Sequence, residues 1–294
     1  MKTVFASILG LPNAGKSTLL NRLVGEKISI VSPKPQTTRG RVTGVLTQGE
    51  TQFVFTDTPG LLKPRNKLGE YMSKVISQTS AGGDVVILVV EPYAEVKAPL
   101  QRLLEQLKAD RVPVVLAVNK VDTAEKAELL PVIGAYAALY DFEAVVPLSA
   151  KRGDGVELLL AEMEKLAVEG PWVFEEDALT DQSMRQLASE IIREKLLLAL
   201  DREVPHGTAV VIESMEEKPE LMKIGALILC EKASHKGIII GKGGAMLKRI
   251  ATQARLEMER LFDCKVFLEC FVRVDEQWRD SNRILNDLGY KIEE

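Results

Sequence analysis

Histidine and cysteine are scarce in this sequence: among 294 residues stand two histidines, His206 and His235, and three cysteines, Cys230, Cys264 and Cys270. None of the five lies at a CxxC or HxxxH spacing, which removes the basis for a structural metal or a disulfide frame and leaves the cysteines as buried thiols. Long hydrophobic runs are absent as well. Nothing approaches the roughly 20 apolar residues that span a bilayer, so no transmembrane helix is expected. There is no internal repeat and no low-complexity tract, which argues against a tandem pair of like domains. An excess of basic residues is missing too: 42 acids against 38 bases give a net charge of -4, so the chain as a whole is no basic nucleic-acid binder. That balance breaks locally, because Lys232, Lys236, Lys242, Lys248, Arg249 and Arg255 share one stretch, 232–255, without an acidic residue.

What is present divides the chain in two. A hydrophobic share of 46% is ordinary for a globular protein, and 294 residues exceed a comfortable single core. In the first half, runs apolar on both faces (TVFASIL, FVFTD, VVILVVE, PVVLAVN, AVVPLSA) alternate with helical periods such as STLLNRLVG and APLQRLLEQLKA. That is the pattern of a doubly wound α/β domain, a mostly parallel sheet covered on both sides. Its last helix is expected over about 155–168. EGPWVFEEDALTDQ then carries proline, glycine and an acidic cluster with no period, as a linker would. The reading assigns 1–170 to the first domain, 171–182 to the linker and 183–294 to a smaller α+β domain with a C-terminal tail. The second domain reads as a long amphipathic helix (SMRQLASEIIREKLLLAL), strands GTAVVIESM and IGALILCEK, a glycine loop between helices, and a strand KVFLECFVRV. The helix after the loop is expected from about Ala245 to Leu261.

GLPNAGKS, Gly10 to Ser17, satisfies G-x-x-x-x-G-K-[ST] between the first strand and a helix. Gly10, Pro12, Asn13, Ala14, Gly15, Lys16, Ser17 and Thr18 are therefore assigned to a nucleoside triphosphate. The glycines let backbone N–H groups converge on phosphate, and the new helix adds its positive end. Lys16 reaches the outer phosphates and the Ser17 hydroxyl ligates Mg²⁺. The preceding MKTVFASILGLPN has a lysine and a short apolar run like a weak signal peptide, but cleavage would destroy the loop, so it is read as the first strand of a cytoplasmic protein.

NKVD supplies the base: Asn119, Lys120 and Asp122 end a strand, where a carboxylate accepts both guanine N1–H and the exocyclic amine, a donor pair adenine lacks. Ser149, Ala150 and Lys151 of SAK close that pocket. In DTPG (Asp57, Thr58, Pro59, Gly60), Asp57 holds the magnesium through water and the Gly60 N–H senses the γ-phosphate. Thr37 and Thr38 lie on SPKPQTTRGR, a proline-punctuated loop expected to be mobile. Thr38 completes the magnesium shell with GTP bound and leaves it after hydrolysis. Lys16, Thr38 and Gly60 are the expected catalytic groups. Leu61 stands where Ras-like proteins carry the glutamine that orients water, so intrinsic hydrolysis is expected to be slow and completed by a partner or ion.

GKGG, Gly241 to Gly244, is weak evidence in a chain with 21 glycines, but it follows GIIIG, precedes the basic stretch AMLKRIATQAR, and sits in the order helix–strand–strand–helix–helix–strand. The motifs GLPNAGKST, PQTTR, DTPG, NKVD and SAK, in this order, look like those of the translation-factor-related GTPases. With the tail, the chain resembles over nearly its whole length the Era-like GTPases that end in a KH domain. Ala14 departs from the valine usual there, with no consequence expected for phosphate contacts.

The resemblance implies a P-loop NTPase domain followed by a type II KH domain, with GTP/GDP and Mg²⁺ as cofactors. It also implies a GxxG loop clamping about four nucleotides of single-stranded RNA. Lys236, Ile239, Ile240, Gly241, Lys242, Gly243, Gly244, Lys248 and Arg249 are assigned to that RNA. Few aromatics stand near the loop, so hydrogen bonds and apolar contact are expected to outweigh stacking. As partners it implies ribosomal RNA, the 3′ end of 16S rRNA, and the 30S subunit during biogenesis. The protein is taken as a monomer, and the resemblance extends to peripheral attachment at the inner face of the cell membrane. Two rivals stand beside this reading: an RNA-binding module with a vestigial nucleotide domain, motivated by Leu61, and a GTPase that recruits a protein or membrane partner through its C-terminal domain.

Overall fold

The computed structural model describes residues 1–290 other than position 94, with the backbone alone at position 81. The end of the tail, 291–294, lies outside the described residues. The chain clusters into two compact units: Met1–Ser29, Thr38–Lys63 and Met72–Asp181 form one, and Ile30–Thr37, Pro64–Tyr71 and the chain from Gln182 form the other.

The first unit is built on seven strands. β1 (Lys2–Gly10), β2 (Val42–Gln48), β3 (Thr51–Asp57), β4 (Val85–Val90), β5 (Val114–Val118) and β6 (Ala144–Pro147) lie in the order β2-β3-β1-β4-β5-β6, and the short β7 (Val168–Glu169) pairs with β1. β2 runs antiparallel to β3 and β7 antiparallel to β1; the other pairs are parallel. Between them run α1 (Lys16–Val24), α2 (Lys67–Gly82), α3 (Ala98–Ala109), α4 (Lys126–Ala137) and α5 (Val156–Lys165), the Lys67–Tyr71 part of α2 clustering with the second unit. Continuous apolar strands make two cores at once. Along β4, Val85, Ile87 and Val89 enter the core that holds Leu19 and Phe55, while Val86, Leu88 and Val90 enter the one that holds Leu104 and Tyr136.

Most of the stretch 171–182, expected as a linker, is strapped to the first unit. The N–H groups of Val173 and Phe174 donate to Gln52 Oε1 at 2.9 and 3.0 Å. Val45 N–H donates to the Leu179 carbonyl at 2.9 Å and the Thr180 hydroxyl to the Thr43 carbonyl at 2.7 Å, which covers part of the edge strand β2.

In the second unit, α6 (Met184–Ala199) opens with a capping box between Ser183 and Gln186. β8 (Thr208–Lys218) and β9 (Leu221–Cys230) form an antiparallel hairpin, α7 (Ala233–Ile240) and α8 (Ala245–Leu261) flank the glycine loop, β10 (Lys265–Val274) pairs parallel with β9, and α9 (Asn282–Asp287) follows. Ile192, Leu196, Ile228, Ile250 and Met258 belong to its core. Of the thiols expected to be buried, Cys230 is; Cys264 and Cys270 are only half-buried, on or beside the edge strand β10. Burial pushes the Cys270 thiol up to about 12.

Candidate functional site

The phosphate loop is closed by its neighbours. Gly10 has φ +151, and a side chain there would begin 2.3 Å from the Val89 carbonyl oxygen; at Gly15, φ +100, it would begin 2.2 Å from Asn119 Nδ2. Only glycine fits either place. Lys16 is buried and donates to the carbonyls of Gly10 and Leu11 at 3.2 and 3.0 Å, while Thr18 follows in the first turn of α1. Burial lowers the Lys16 ammonium to about 8, against the opposing pull of Asp57. Phosphate oxygens beside it would favour the charged form further. Asn13 takes a left-handed φ of 64 at the exposed turn of the loop.

Ser17, Thr38 and Asp57 come from three separate segments and meet at one point. The Ser17 hydroxyl donates to Asp57 Oδ2 at 2.6 Å, the Thr38 hydroxyl donates to the same oxygen at 3.2 Å, and the two hydroxyls are 2.9 Å apart. Asp57 is fully buried, yet its Oδ1 accepts no hydrogen bond among the described residues. Burial raises its pKa, opposed by Lys16 and by the hydroxyls of Ser17, Thr38 and Ser29. A buried carboxylate oxygen with no donor is costly, and two hydroxyls with one carboxylate are hard oxygen donors, so these residues fit Mg²⁺.

Ser29, which no motif marked, also donates to Asp57 Oδ2, at 3.3 Å, and is held in turn by Asn21 Oδ1, which accepts its N–H at 2.8 Å. Thr37 is not brought to this cluster; its hydroxyl donates to the Lys34 carbonyl at 2.7 Å and closes a turn in its own loop. Thr58 is buried and bonded to the Ile8 carbonyl at 2.9 Å. Pro59 is buried beside it, and Gly60 lies against the phosphate loop, where an added Cβ would stand 2.6 Å from Pro12 N. Leu61 donates its N–H to the Gly10 carbonyl at 3.2 Å and packs its side chain on the core, so it offers water nothing.

One buried amide ties the base-reading motifs to the phosphate loop. Asn119 Nδ2 donates to the Ala14 carbonyl at 2.8 Å, and its Oδ1 accepts the Ala150 N–H at 3.0 Å. The Ser149 hydroxyl donates to Asp122 Oδ1 at 2.7 Å, and Arg152 Nε lies 3.7 Å from Oδ2. Chiefly that hydroxyl, with Arg152 adding, holds the Asp122 carboxyl below its usual range, which keeps it an ionised acceptor. Lys120, at φ 65, pairs with Glu91 at 2.6 Å. The Lys151 side chain is exposed, while the carbonyls of Ala150 and Lys151 accept from Arg22 at 3.2 and 2.7 Å.

The second glycine loop is open. Gly241, Gly243 and Gly244 have φ 73, 59 and 81; a side chain at Gly241 would begin 2.7 Å from Met246 Cβ, whereas Gly243 and Gly244 have nothing within 4 Å. Gly244 leads into α8 with no side-chain cap, and the first N–H of that helix, at Ala245, donates back to the Lys242 carbonyl of the loop. Lys242, Lys248 and Arg249 are exposed, and Lys236 and Ile240 half-buried. Ile239, assigned to RNA from its place beside the loop, is instead 0% exposed and part of the core, while its neighbour Ile238 is 50% exposed. The short helix α7 sets this: a rotation of about 100° separates successive side chains, which turns Ile239 inward and Ile238 outward. Periodicity over a run of three isoleucines could not choose between them.

Residues 5–120 match the family described as 50S ribosome-binding GTPase, and residues 203–279 match the KH domain. GTPase Era of Ruminiclostridium cellulolyticum is 50% identical over 291 residues, 99% of this chain and 98% of that protein. The chain belongs to the Era family of GTPases. GTPase Era of Clostridium acetobutylicum is 48% identical, with 99% of this chain and 98% of that protein covered. A point variant of Aquifex aeolicus Era bound to GDP and aluminium fluoride has a TM-score of 0.95 at 35% identity, covering 99% of this chain and 100% of that one. Era in complex with MgGDPNP and nucleotides 1506–1542 of 16S ribosomal RNA has a TM-score of 0.96 at 34% identity, with the same coverage. As an Era-family member the protein is a GTPase with a P-loop nucleotide domain and a KH domain, which sets aside the vestigial-domain reading that Leu61 had motivated.

Proposed function

We propose that this chain is a GTP-dependent switch that binds the single-stranded 3′ end of 16S ribosomal RNA and acts in biogenesis of the 30S subunit. Residues 1–170 serve the nucleotide, 171–182 join, and 183–294 serve the RNA. The observation that carries this reading is the pair of anion cradles of opposite build, one closed over buried Lys16 and one open beside exposed Lys242, Lys248 and Arg249. The Era relative solved with a 16S fragment supports the choice of RNA.

In the reaction, water attacks the γ-phosphorus in line, the bond to the bridging oxygen breaks, and GDP and phosphate leave. Lys16 holds the outer phosphate oxygens. The Gly60 N–H and Thr38 report the γ-phosphate, and Ser17, Thr38 and Asp57 would hold the Mg²⁺ that neutralises charge on those oxygens. Leu61 leaves the attacking water without an orienting group, so turnover is slow until a partner or an ion supplies one. GTP orders the Thr37/Thr38 loop and DTPG and so alters how the KH domain presents itself to RNA.

The protein acts as a cytoplasmic monomer. Attachment at the inner membrane face would be peripheral, because no described helix is long and apolar enough to cross a membrane. GTP turnover with and without a short single-stranded 3′-terminal rRNA fragment tests the reading: stimulation is expected, with RNA affinity differing between the GTP and GDP states at matched salt. Unchanged turnover together with equal affinities would reject it.

A further inference from the structure

Three consecutive charged residues of α6, Arg193, Glu194 and Lys195, are only 1, 2 and 8% exposed. Charges so buried need partners. Part of theirs comes from the segment Ile30–Thr37, which belongs to the same compact unit as α6. Glu194 Oε1 accepts the Val31 N–H at 2.9 Å, and its Oε2 accepts from Lys195 Nζ at 2.6 Å, with Lys195 also paired to Glu257 of α8. The Arg193 guanidinium donates to the Thr37 carbonyl and is steadied by Glu190 at 2.8 Å.

From the loop side, Lys34 Nζ donates to the carbonyl of Leu197 at 2.5 Å and to that of Leu200, at the C-terminal end of α6 where a cation is favoured. The loop expected to be mobile is thus pinned at Val31, Lys34 and Thr37. Its next residue is Thr38, whose hydroxyl is on Asp57 and Ser17. The segment beyond DTPG is treated alike: Lys67 N–H donates to Asp280 Oδ1 at 3.0 Å, and the Tyr71 and Tyr290 rings are 5.3 Å apart.

We propose that α6 is a latch for the switch loop, in which Lys34, Arg193 and Glu194 are positioning residues that set Thr38 for the γ-phosphate and its metal. The inference rests on the switch reading above and names its physical link, the chain itself: Val31, Lys34 and Thr37 are held by α6 within their own unit, and the next residue, Thr38, is bonded to Asp57 and Ser17. By linkage, whatever tightens one grip tightens the other to the same extent. GDP has no γ-phosphate to engage Thr38, so the latch acts on GTP alone.

Lys34→Met removes the loop-side cation from a half-buried position and keeps an unbranched apolar stem there. Dissociation constants are measured with Mg²⁺ for a fluorescent non-hydrolysable GTP analogue and for fluorescent GDP. The analogue is expected to weaken about five- to twentyfold, within the usual range of coupling between sites, while GDP stays within about twofold. Lys34→Arg restores the difference, and Glu194→Ala repeats the effect of Lys34→Met, whereas Glu194→Gln, which keeps an acceptor for the Val31 N–H, has less. In a Thr38→Ala background Lys34→Met adds nothing, because both act through one group. Equal weakening of both nucleotides, full additivity with Thr38→Ala, or no change would overturn the latch. RNA affinity in the two nucleotide states separates the two ideas. A difference in the parent protein that survives Lys34→Met rejects the latch and keeps the switch, while no difference in the parent rejects the switch and the latch with it.

Discussion

The two glycine loops each carry a lysine and differ in what surrounds them. Around the first, the absent side chains are already spent on neighbours: the Asn119 amide fills the place of a Gly15 methyl and the Val89 carbonyl that of a Gly10 methyl. Around the second, Gly243 and Gly244 face open space and answer only a left-handed backbone. The difference follows from the anion each must hold. A short, highly charged phosphate chain can be enclosed, and in a site with little water each N–H and the one ammonium act strongly. A polymer has to enter and leave sideways, so its phosphates stay at the surface, where charge is screened and grip depends on number. One cradle discriminates and the other holds on.

Gly15→Ala breaks the closed cradle most severely. Its methyl would begin 2.2 Å from Asn119 Nδ2 at a φ of +100, so the amide must release the Ala14 carbonyl or the Ala150 N–H. Strain of about 1–3 kcal/mol added to a lost hydrogen bond of about 1 kcal/mol predicts a fall in nucleotide affinity of about 100-fold. RNA affinity without nucleotide should stay within about twofold, since nothing in the KH domain is touched. Calorimetric titration of both ligands checks this, and retained GTP affinity would show that enclosure is not what the first loop supplies.

The open cradle calls for a gentler change. At Gly241 an aspartate would meet Met246 N at 2.9 Å and disturb α8, so loss of RNA binding there could be a folding effect; at Gly243 it meets nothing and sits at φ 59, which aspartate tolerates. Gly243→Asp is expected to lower RNA affinity by about tenfold or more through like-charge repulsion, with stability changed by less than about 1 kcal/mol. Nucleotide affinity should not move. A variant that binds RNA normally would remove the loop from the interface.

Much of this contrast was legible in the residues. Strand, loop and helix around GLPNAGKS follow from period and motif, and α8 and β10 occupy the spans their patterns indicate. What stayed hidden depended on tertiary partners. Ser29 is an ordinary polar residue until Asn21 and Asp57 are brought to it. Thr37 and Thr38 are equivalent as letters, and only the fold turns one inward and one onto its own loop. Arg193, Glu194 and Lys195 stand in a segment that reads only as an amphipathic helix, and helical spacing gives no hint that Val31 and Thr37 lie against them. Ile238 and Ile239 show the same limit at the RNA loop, where one step in register decides between core and surface.

The smallest effect concerns the charges around the open cradle. If Lys236, Lys242, Lys248 and Arg249 each displace one counterion from single-stranded RNA, the slope of log K against log salt is about -3, from about 0.7 per contact. Lys248→Ala should flatten it by about 0.7 while changing affinity only a few-fold at any one salt concentration, because an exposed lysine adds a counterion and little else. Nucleotide binding should be much less sensitive, since Lys16 is buried and a group out of reach of the ionic atmosphere is weakly screened. Measured over one salt series with both ligands, parallel slopes would mean that the closed loop is as exposed to ions as the open one, and the distinction between enclosing and gripping would fail. Diverging slopes, with Lys248→Ala moving only the RNA line, would assign that lysine to the backbone of the RNA and leave the first cradle to Lys16 and the loop amides.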